Sequence, residues 1–312
     1  MKIGVTSSHR YPARRFRVCG NGRAGARMTD LIARGLAELG HEVHYYVTEG
    51  AKAAPPPGVR IVDHPPVHVD VMHLQHIGLG DIADASWPPS VRTCHGDYAL
   101  HRGLAIEDPI FVSRTHASSH GSTRWVHNGI DPDEFIFSKT KSDYFLFMCD
   151  LRRAEQKGLE TALEATHRFG AKLVVAGSTT DPAIRRRTRE LCARHGVTPM
   201  GEAMGARRAE LFAGARALLF PTQLNESFGL VMAEALMSGT PVIASDRGAC
   251  AEIISPEVGF ICSTMEEYLS AMSRAPTISP HACRAKAMRD YHYLRMAQGY
   301  VREYEREIAR AV

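Results

Sequence analysis

The chain has 312 residues, 44% of them hydrophobic, and a formal net charge of +4. This length allows two domains of ordinary size, and such a modest charge does not indicate nucleic-acid binding. No stretch approaches the roughly 20 apolar residues of a membrane-spanning helix. The seven cysteines are scattered without a Cys-x-x-Cys pair, which argues against a disulfide framework and a zinc knuckle. Residues 1–6 lack the apolar core of a signal peptide, so we expect a cytoplasmic protein.

The first 130 residues alternate short apolar runs with turn signals. Residues 2–6 predict a buried parallel strand, and the spacing of apolar residues over 30–39 predicts a helix that ends before Gly40. Further strands are predicted at 43–47, 59–62, 69–74, 91–94 and 109–112. This alternation indicates an α/β fold built on a parallel sheet.

The second half of the chain repeats longer strand–helix units. Strands are predicted at 144–148, 173–176, 217–220 and 242–244, and helices at 158–169, 183–195, 206–214 and 266–273. One or two further helices are predicted over 281–312. Such repeats predict a doubly wound sheet, in which ligands bind at the carboxyl ends of the strands. Arg152, Gly177 and Glu226 each follow a predicted strand, so we expect them at that edge.

Two glutamates, Glu226 and Glu234, lie eight positions apart around an apolar segment that starts near Phe228 and Gly229. Eight residues are a little over two helical turns, so the two carboxylates are predicted on one side. The start of a helix carries free N–H groups that suit a phosphate. This pattern predicts a nucleotide-sugar site, and its alternative is an amphipathic helix with two surface acids.

The segment from Pro221 to Ala235, with the following Gly239-Thr240-Pro241-Val242, resembles the signature of the retaining family 4 glycosyltransferases. That signature reads Pro-Ser-x-x-Glu-x-Phe-Gly-Leu-x-x-x-Glu-Ala and then Gly-Thr-Pro-Val, and Thr222 replaces its serine. The resemblance implies the GT-B fold, an α/β fold in which two Rossmann-like domains face each other across a cleft. It implies an N-terminal acceptor-side domain over 1–130 and a nucleotide-sugar-binding domain over 131–290. The final helix, over 291–312, is expected to cross back to the first domain.

The resemblance also implies roles for individual residues. Arg152 and Lys157, in a segment similar to the family's Gly-Arg-Leu-x-x-x-Lys-Gly, are expected to hold the donor diphosphate, although Leu151 replaces the glycine. Glu226 is expected to hold the hydroxyls of the donor sugar and Glu234 those of the ribose. His95 matches a family histidine that faces the donor sugar, and its alternative role is that of a structural loop histidine. The implied catalytic set is His95, Glu226, Arg152 and Lys157, and the implied donor site comprises Arg152, Lys157, Gly177, Glu226, Phe228, Gly229, Leu230 and Glu234.

The implied reaction moves a sugar from a nucleoside-diphosphate donor, UDP or GDP, to a hydroxyl acceptor with retention of anomeric configuration, as in glycan or glycoside biosynthesis. The resemblance implies no metal ion and no other cofactor. His73 and His76 are three positions apart, but no third ligand is evident, so no metal site is predicted. Two alternatives stay open: a nucleotide-sugar 2-epimerase of the same fold, and a non-catalytic nucleotide-sugar-binding protein.

Arginines crowd into residues 10–27, beside a glycine-containing loop that includes Gly22 and Arg23. With His95, Gly22 and Arg23 are predicted on the acceptor side. The cluster predicts a negatively charged acceptor or peripheral contact with an anionic membrane surface. Its alternative is a solvated loop.

Overall fold

A computed structural model describes residues 1–7, 23–47, 53–75, 87–96 and 108–311 of the chain. These residues form two compact units. The first contains the described residues up to Gly129 together with those from Tyr291 onward, and the second is Ile130–Asp290. Each unit has its own parallel sheet, so the predicted α/β class is confirmed.

The first unit is built on a sheet of six strands: β1 (Lys2–Ser7), β2 (Glu42–Val47), β3 (Val59–Val62), β4 (Val71–Leu74), β5 (Ser90–Cys94) and β6 (Ile110–Phe111). Their order in the sheet is β3-β2-β1-β4-β5-β6, and every pairing is parallel. Helix α1 (Arg23–Glu38) follows β1, and the short helix α2 (Arg114–Ser119) follows β6. This strand order is that of a doubly wound dinucleotide-binding fold, whose order reverses beside β1.

The second unit has a five-stranded parallel sheet in the order β11-β10-β9-β7-β8. Its elements, in chain order, are β7 (Phe145–Met148), α3 (Leu159–Phe169), β8 (Leu173–Ala176), α4 (Pro182–Arg194), α5 (Gly205–Gly214), β9 (Leu218–Phe220), α6 (Leu230–Met237), β10 (Val242–Ser245), α7 (Cys250–Ile253), β11 (Gly259–Cys262), α8 (Met265–Arg274) and α9 (Pro280–Asp290). The strand order reverses between β7 and β9, because β8 and β9 lie on opposite sides of β7. The carboxyl ends of β7 and β9 therefore mark the crevice where a doubly wound sheet binds its ligand.

The last helix, α10 (Tyr293–Ala311), packs in the first unit although it ends the chain. Tyr293 donates to Glu38 of α1 with 2.7 Å between the oxygens. A Cβ at Gly35 would lie 2.8 Å from that of Ala297, so glycine lets α1 and α10 approach closely. Arg124 pairs with Glu303 at 2.9 Å and holds the middle of α10 against the segment that follows α2.

The observed strands agree with the predicted ones to within about two residues at most ends. A short apolar run that is buried on both faces fits few structures other than a parallel strand. Helix α1 begins at Arg23, seven positions before its predicted start at 30. The strand β11 and the short helices α2 and α7 were not predicted. None of the described helices has the length and apolar character that a bilayer crossing requires.

Candidate functional site

Two loops meet where the strand order of the second sheet reverses. After β7, the chain forms a 3₁₀ turn, Leu151–Arg153, in which the Asp150 carboxylate accepts from the Arg152 backbone N–H at 3.0 Å. Gln223, in the loop after β9, donates its backbone N–H to the carbonyl of Gln156 at 2.8 Å. A Cβ at Gly158 would lie 1.9 Å from the carbonyl oxygen of Pro221, so only glycine permits this approach.

The contact between these loops brings Lys157 and Glu226 together, and the Lys157 Nζ donates to the Glu226 Oε2. The two side chains keep 15% and 13% of their surface exposed, so both remain accessible to a small ligand. The ammonium also lies 5.0 Å from the centre of the Phe220 ring. A cation that is desolvated on one side and paired on the other can exchange its carboxylate partner for a phosphate.

Contacts from the loop before α7 fix the backbone of Glu226. Ala249 donates its N–H to the Glu226 carbonyl at 2.8 Å. A Cβ at Gly248 would lie 2.2 Å from the Glu226 nitrogen and 2.4 Å from its oxygen, which fixes how closely the loop before α7 covers this residue. The Glu226 carboxylate therefore extends from a backbone whose position is fixed by Gly248 and Ala249.

Helix α6 begins at Leu230, after Gly229 in a left-handed conformation with φ of 80°. Phe228 is buried at 2% exposure and anchors the turn in the core. Glu226 consequently precedes the helix, so helical periodicity does not extend from Glu226 to Glu234, and the placement of both carboxylates on one side stays a prediction. The positive φ of Gly229 breaks the helical geometry between them, and tertiary contacts alone determine where Glu226 lies.

Arg152 and Gly177 lie at the predicted carboxyl edge. The Arg152 guanidinium forks onto Asp150, with Nε 3.0 Å from Oδ2, and keeps 35% of its side chain exposed. Gly177 directly follows β8, and a Cβ there would lie 2.1 Å from the carbonyl oxygen of Cys149. Glycine therefore lets the ends of β7 and β8 remain adjacent at this edge.

Glu234 lies in α6 and is fully buried, paired with Arg208 of α5. The guanidinium also contacts the Met148 sulfur at 2.7 Å, so it is sealed from solvent at 5% exposure. Burial raises the pKa of Glu234, and the Arg208 charge opposes that rise. Within the described part of the chain, the Glu234 Oε1 has no hydrogen-bond partner. Its contact with a ribose stays a prediction.

In the first unit, His95 directly follows β5 and lies beside the first turn of α1. Its Nε2 is 2.7 Å from the Gln75 Oε1, and its Cδ2 would be 3.7 Å from a Cβ at Gly25. Arg23 begins α1 two positions earlier, so the structure brings the start of that helix to His95. Gly22, the arginines at 10, 14, 15 and 17, and His76 lie outside the described residues. In the described ranges, no three His, Cys, Asp or Glu side chains converge as metal ligands would.

The sequence did not single out Gln75 or Arg208, both of which contact predicted site residues. Their contacts join different elements, and neither residue belongs to a recognisable motif. Only the position of Gln75, one residue after a predicted strand, marks it as a candidate for the ligand edge of the sheet.

Comparison with known proteins adds a family assignment. Residues 142–275 match the family described as glycosyl transferases group 1. The matched segment spans less than half of the chain. It contains Arg152, Lys157, Gly177, Glu226 and Glu234, so the family match covers the site of the second sheet.

An uncharacterized glycosyltransferase of Methanocaldococcus jannaschii is 32% identical to the chain. That match covers 44% of this chain and only 39% of the relative's own length. The predicted resemblance to group 1 glycosyltransferases is confirmed for the second unit. The alignment with the archaeal relative extends over less than half of either protein.

Solved structures match over nearly the whole chain. AviGT4, a glycosyltransferase involved in avilamycin A biosynthesis, has a TM-score of 0.79 at 24% identity, covering 99% of this chain and 98% of its own. A sucrose-phosphate synthase from Thermosynechococcus elongatus has a TM-score of 0.74 at 18% identity, with 99% of both chains covered. HepE of Anabaena in complex with UDP-glucose has a TM-score of 0.70 at 14% identity, covering 98% of this chain and all of its own. These similarities confirm the predicted GT-B fold.

Proposed function

We propose that the protein is a retaining glycosyltransferase of family 4 that moves a sugar from a nucleoside-diphosphate donor to a hydroxyl acceptor without a metal ion. The observation that carries the proposal is the Lys157–Glu226 pair. It lies between the loops that follow β7 and β9, where a doubly wound sheet binds ligands. The start of α6 at Leu230 follows four positions after Glu226.

The donor diphosphate takes Lys157 away from Glu226. Its two phosphates attract the ammonium more strongly than one carboxylate does, and Arg152 offers a planar fork of donors beside it. The first amides of α6 add partial positive charge. Glu226 is then released to accept hydrogen bonds from hydroxyls of the donor sugar. Glu234, with Arg208 behind it, holds the ribose.

In the reaction, the acceptor oxygen bonds to the anomeric carbon while the bond from that carbon to the phosphate oxygen breaks. The nucleoside diphosphate leaves and takes up the proton of the acceptor hydroxyl. Attack occurs on the face that the leaving group vacates, which retains the anomeric configuration. Lys157 and Arg152 stabilise the negative charge that develops on the leaving diphosphate, and this fixed electrostatic stabilisation is the chief contribution of the protein.

UDP and GDP are the proposed nucleotides. UDP is supported by the structural similarity to HepE, which was solved with UDP and with UDP-glucose. The basic residues 10–27 support a negatively charged acceptor or contact with an anionic membrane surface.

The first test is a thermal-shift screen of the full chain against UDP-, GDP-, ADP- and dTDP-sugars, followed by measurement of nucleoside-diphosphate release with hydroxyl acceptors in the presence of EDTA. We expect Lys157→Ala to lower turnover at least about tenfold, a loss of ~1.4 kcal/mol or more in transition-state stabilisation. Lys172→Ala is the matched control, because Lys172 is an exposed lysine before β8. NMR of the product reports the anomeric configuration.

Three outcomes would count against the proposal. They are a strict requirement for added Mn²⁺ or Mg²⁺, an inverted product, and equal activities of the Lys157→Ala and Lys172→Ala variants. Conversion of the donor sugar without an acceptor would favour a 2-epimerase.

A further inference from the structure

A side-chain amide joins two histidines in the first unit. The Gln75 Oε1 lies 2.7 Å from the His95 Nε2, and the Gln75 Nε2 lies 3.1 Å from the His73 Nε2. Gln75 directly follows β4 and His95 directly follows β5, which pair side by side in the sheet. The amide therefore spans the ligand edge of the sheet between adjacent strand ends.

His73 is fully buried in β4. Its Nδ1 lies 2.6 Å from the Tyr304 hydroxyl of α10, and its Nε2 lies 2.9 Å from the Thr93 hydroxyl. Burial, with a smaller contribution from the His95 charge, lowers the pKa of His73 to about 3. The imidazole is consequently neutral at every ordinary pH, with one nitrogen that donates and one that accepts.

The hydrogen-bond partners determine which nitrogen does which. An amide nitrogen only donates, so the His73 Nε2 that faces the Gln75 Nε2 must accept. The proton of His73 is then on Nδ1 and is donated to the Tyr304 hydroxyl. The opposite end of the amide is an oxygen, which only accepts, so the His95 Nε2 must carry a proton and donate it. Neutral His95 is thereby left with Nδ1 as its accepting nitrogen.

We propose that Gln75 is a positioning residue that fixes the orientation and the tautomer of His95, and that His73 and Tyr304 fix the amide of Gln75 in turn. The proposal rests on the proposed function and on the role that the family resemblance implies for His95, which is to face the donor sugar. With its proton held on Nε2, His95 presents an acceptor to a sugar hydroxyl. With the proton on Nδ1, it would present a donor, and the hydrogen bond to that hydroxyl would have to reverse.

Helix α10 acts here as the distal support of the site. Tyr304 and Tyr300 are one turn apart and both are buried, at 0% and 1% exposure. Both rings pack against His73, with centroids 5.7 Å away for Tyr304 and 4.6 Å away for Tyr300. Their hydroxyls differ, because that of Tyr304 bonds to His73 whereas that of Tyr300 contacts the Thr93 hydroxyl at 2.9 Å. The two tyrosines therefore provide a matched pair of variants. Loss of the Tyr304 hydroxyl removes a hydrogen bond of His73, whereas loss of the Tyr300 hydroxyl removes a hydrogen bond of Thr93.

The tautomers are measured directly by NMR of the full chain carrying ¹⁵N-labelled histidine, at a pH about two units above the ordinary histidine pKa of roughly 6.5. The signals are assigned by their disappearance in His95→Gln and His73→Gln. We expect the proton on Nε2 of His95 and on Nδ1 of His73. In Gln75→Leu, His95 should populate both tautomers.

Gln75→Glu is the discriminating variant. A carboxylate accepts at both oxygens, so His95 should keep its proton on Nε2, while the proton of His73 should move from Nδ1 to Nε2. Simple loss of packing does not produce such a switch in one histidine alone. Tyr304→Phe should disturb the His73 tautomer more than Tyr300→Phe does. Unchanged tautomers in both Gln75 variants, or a wild-type His95 protonated on Nδ1, would overturn the proposal.

Turnover provides a second readout once a donor and acceptor are known. Gln75→Leu should lower kcat about tenfold, the equivalent of one hydrogen bond, and leave the donor KM within about twofold. Gln75→Glu should restore most of kcat. If His95→Ala is inactive while Gln75→Leu keeps the wild-type kcat, the positioning role is refuted. If His95→Ala itself is fully active, the proposed role of His95 has failed, and the tautomers still report whether Gln75 controls its orientation.

Discussion

At the scale of single residues, the two acids of the signature differ in environment. Glu226 is partly exposed and paired with Lys157 in a loop, whereas Glu234 is fully buried in α6 and paired with Arg208. The first pair can open for a ligand with little desolvation. The second pair holds two charges in the core, so removal of one partner leaves the other uncompensated.

We predict that Glu234→Ala lowers the free energy of unfolding by about 3–5 kcal/mol, because it strands the buried Arg208 charge. Denaturant unfolding measures this loss. Glu210→Ala is the control, since Glu210 lies in the same α5 helix as Arg208 at 53% exposure and pairs with the exposed Arg207. That change should stay within about 0.5 kcal/mol.

The double replacement Arg208→Met with Glu234→Leu separates stability from binding. Apolar side chains of similar volume should recover most of the lost stability. Donor affinity, measured by calorimetry, should stay weakened by about 1.5–3 kcal/mol, the usual loss for a hydrogen bond to a charged group. A stable double variant with unchanged donor affinity would remove this pair from the donor site.

At the scale of structural elements, the loop between β10 and α7 determines the position of Glu226. Gly248 has φ of 55° and lies against the Glu226 backbone. Ala249, the next residue, donates to the Glu226 carbonyl. The loop after β9 is therefore shaped by a segment about 20 residues later in the chain.

We predict that Gly248→Ala lowers turnover at least about tenfold, because a displacement of Glu226 by about 1 Å is costly to a positioned catalytic group. The added Cβ would lie 2.2 Å from the Glu226 nitrogen, so that backbone must move. Gly196→Ala is the matched control: its φ is 69°, and a Cβ there meets nothing within 4 Å. The control incurs only the backbone strain of about 1 kcal/mol. Equal turnover losses in the two variants would refute the argument.

At the scale of the whole molecule, the two units differ in how the chain builds them. The second unit is continuous over Ile130–Asp290, whereas the first needs α10 from the end of the chain. Tyr300 and Tyr304 of that helix are completely enclosed in the first unit. Deleting α10 would uncover apolar surface over α1 and the sheet, and His73 would lose its Tyr304 partner.

We predict that a fragment of residues 130–290 folds cooperatively by itself and binds the nucleotide that the full chain binds. A fragment of residues 1–129 should not unfold cooperatively, since it lacks the helix that covers its sheet. Joining 1–129 to 291–312 through a flexible linker should restore its cooperative transition. Circular dichroism during denaturation is the measurement, and a cooperative transition in 1–129 alone would contradict the prediction.

Stability should fall at alkaline pH because of buried thiols in the second unit. Burial raises the pKa of Cys192 to about 11 and that of three others to about 12, from 9.0; the three are Cys250, Cys262 and Cys283. Above pH 9.0 the unfolded chain releases protons that the folded chain keeps, so the free energy of unfolding decreases as pH rises through that window.

We predict that Cys262→Ala makes this alkaline slope shallower by about 1.4 kcal/mol per pH unit, the contribution of one proton. Urea unfolding under reducing conditions, from neutral pH to about two units above the thiol pKa of roughly 8.5, measures the slope. Near neutral pH, well below the thiol pKa, the slope should be the same in both proteins, which provides the internal control. Parallel curves over the whole range would contradict the assignment.

The sequence by itself determined most strands and the edge at which ligands bind. Buried apolar runs such as 145–148 and 173–176 have few alternative structures, and the polar residues that follow them must lie at the carboxyl edge of a parallel sheet. Arg152, Gly177 and Glu226 were therefore predictable at that edge, whereas Lys157 was expected there only through the family resemblance. The sequence predicted a start of α6 near Phe228 and Gly229, and the left-handed conformation of Gly229 places that start at Leu230.

Only the tertiary structure decided which side chains pair. The Glu234–Arg208 pair joins two helices, and the contact between His73 and Tyr304 joins residues 231 positions apart. Local propensity and periodicity carry no information about such contacts, since they depend on how strands and helices pack after both have formed. For the same reason the resemblance could suggest His95 as a site residue, whereas the contacts of Gln75 with His95 and His73 became visible only in the tertiary structure.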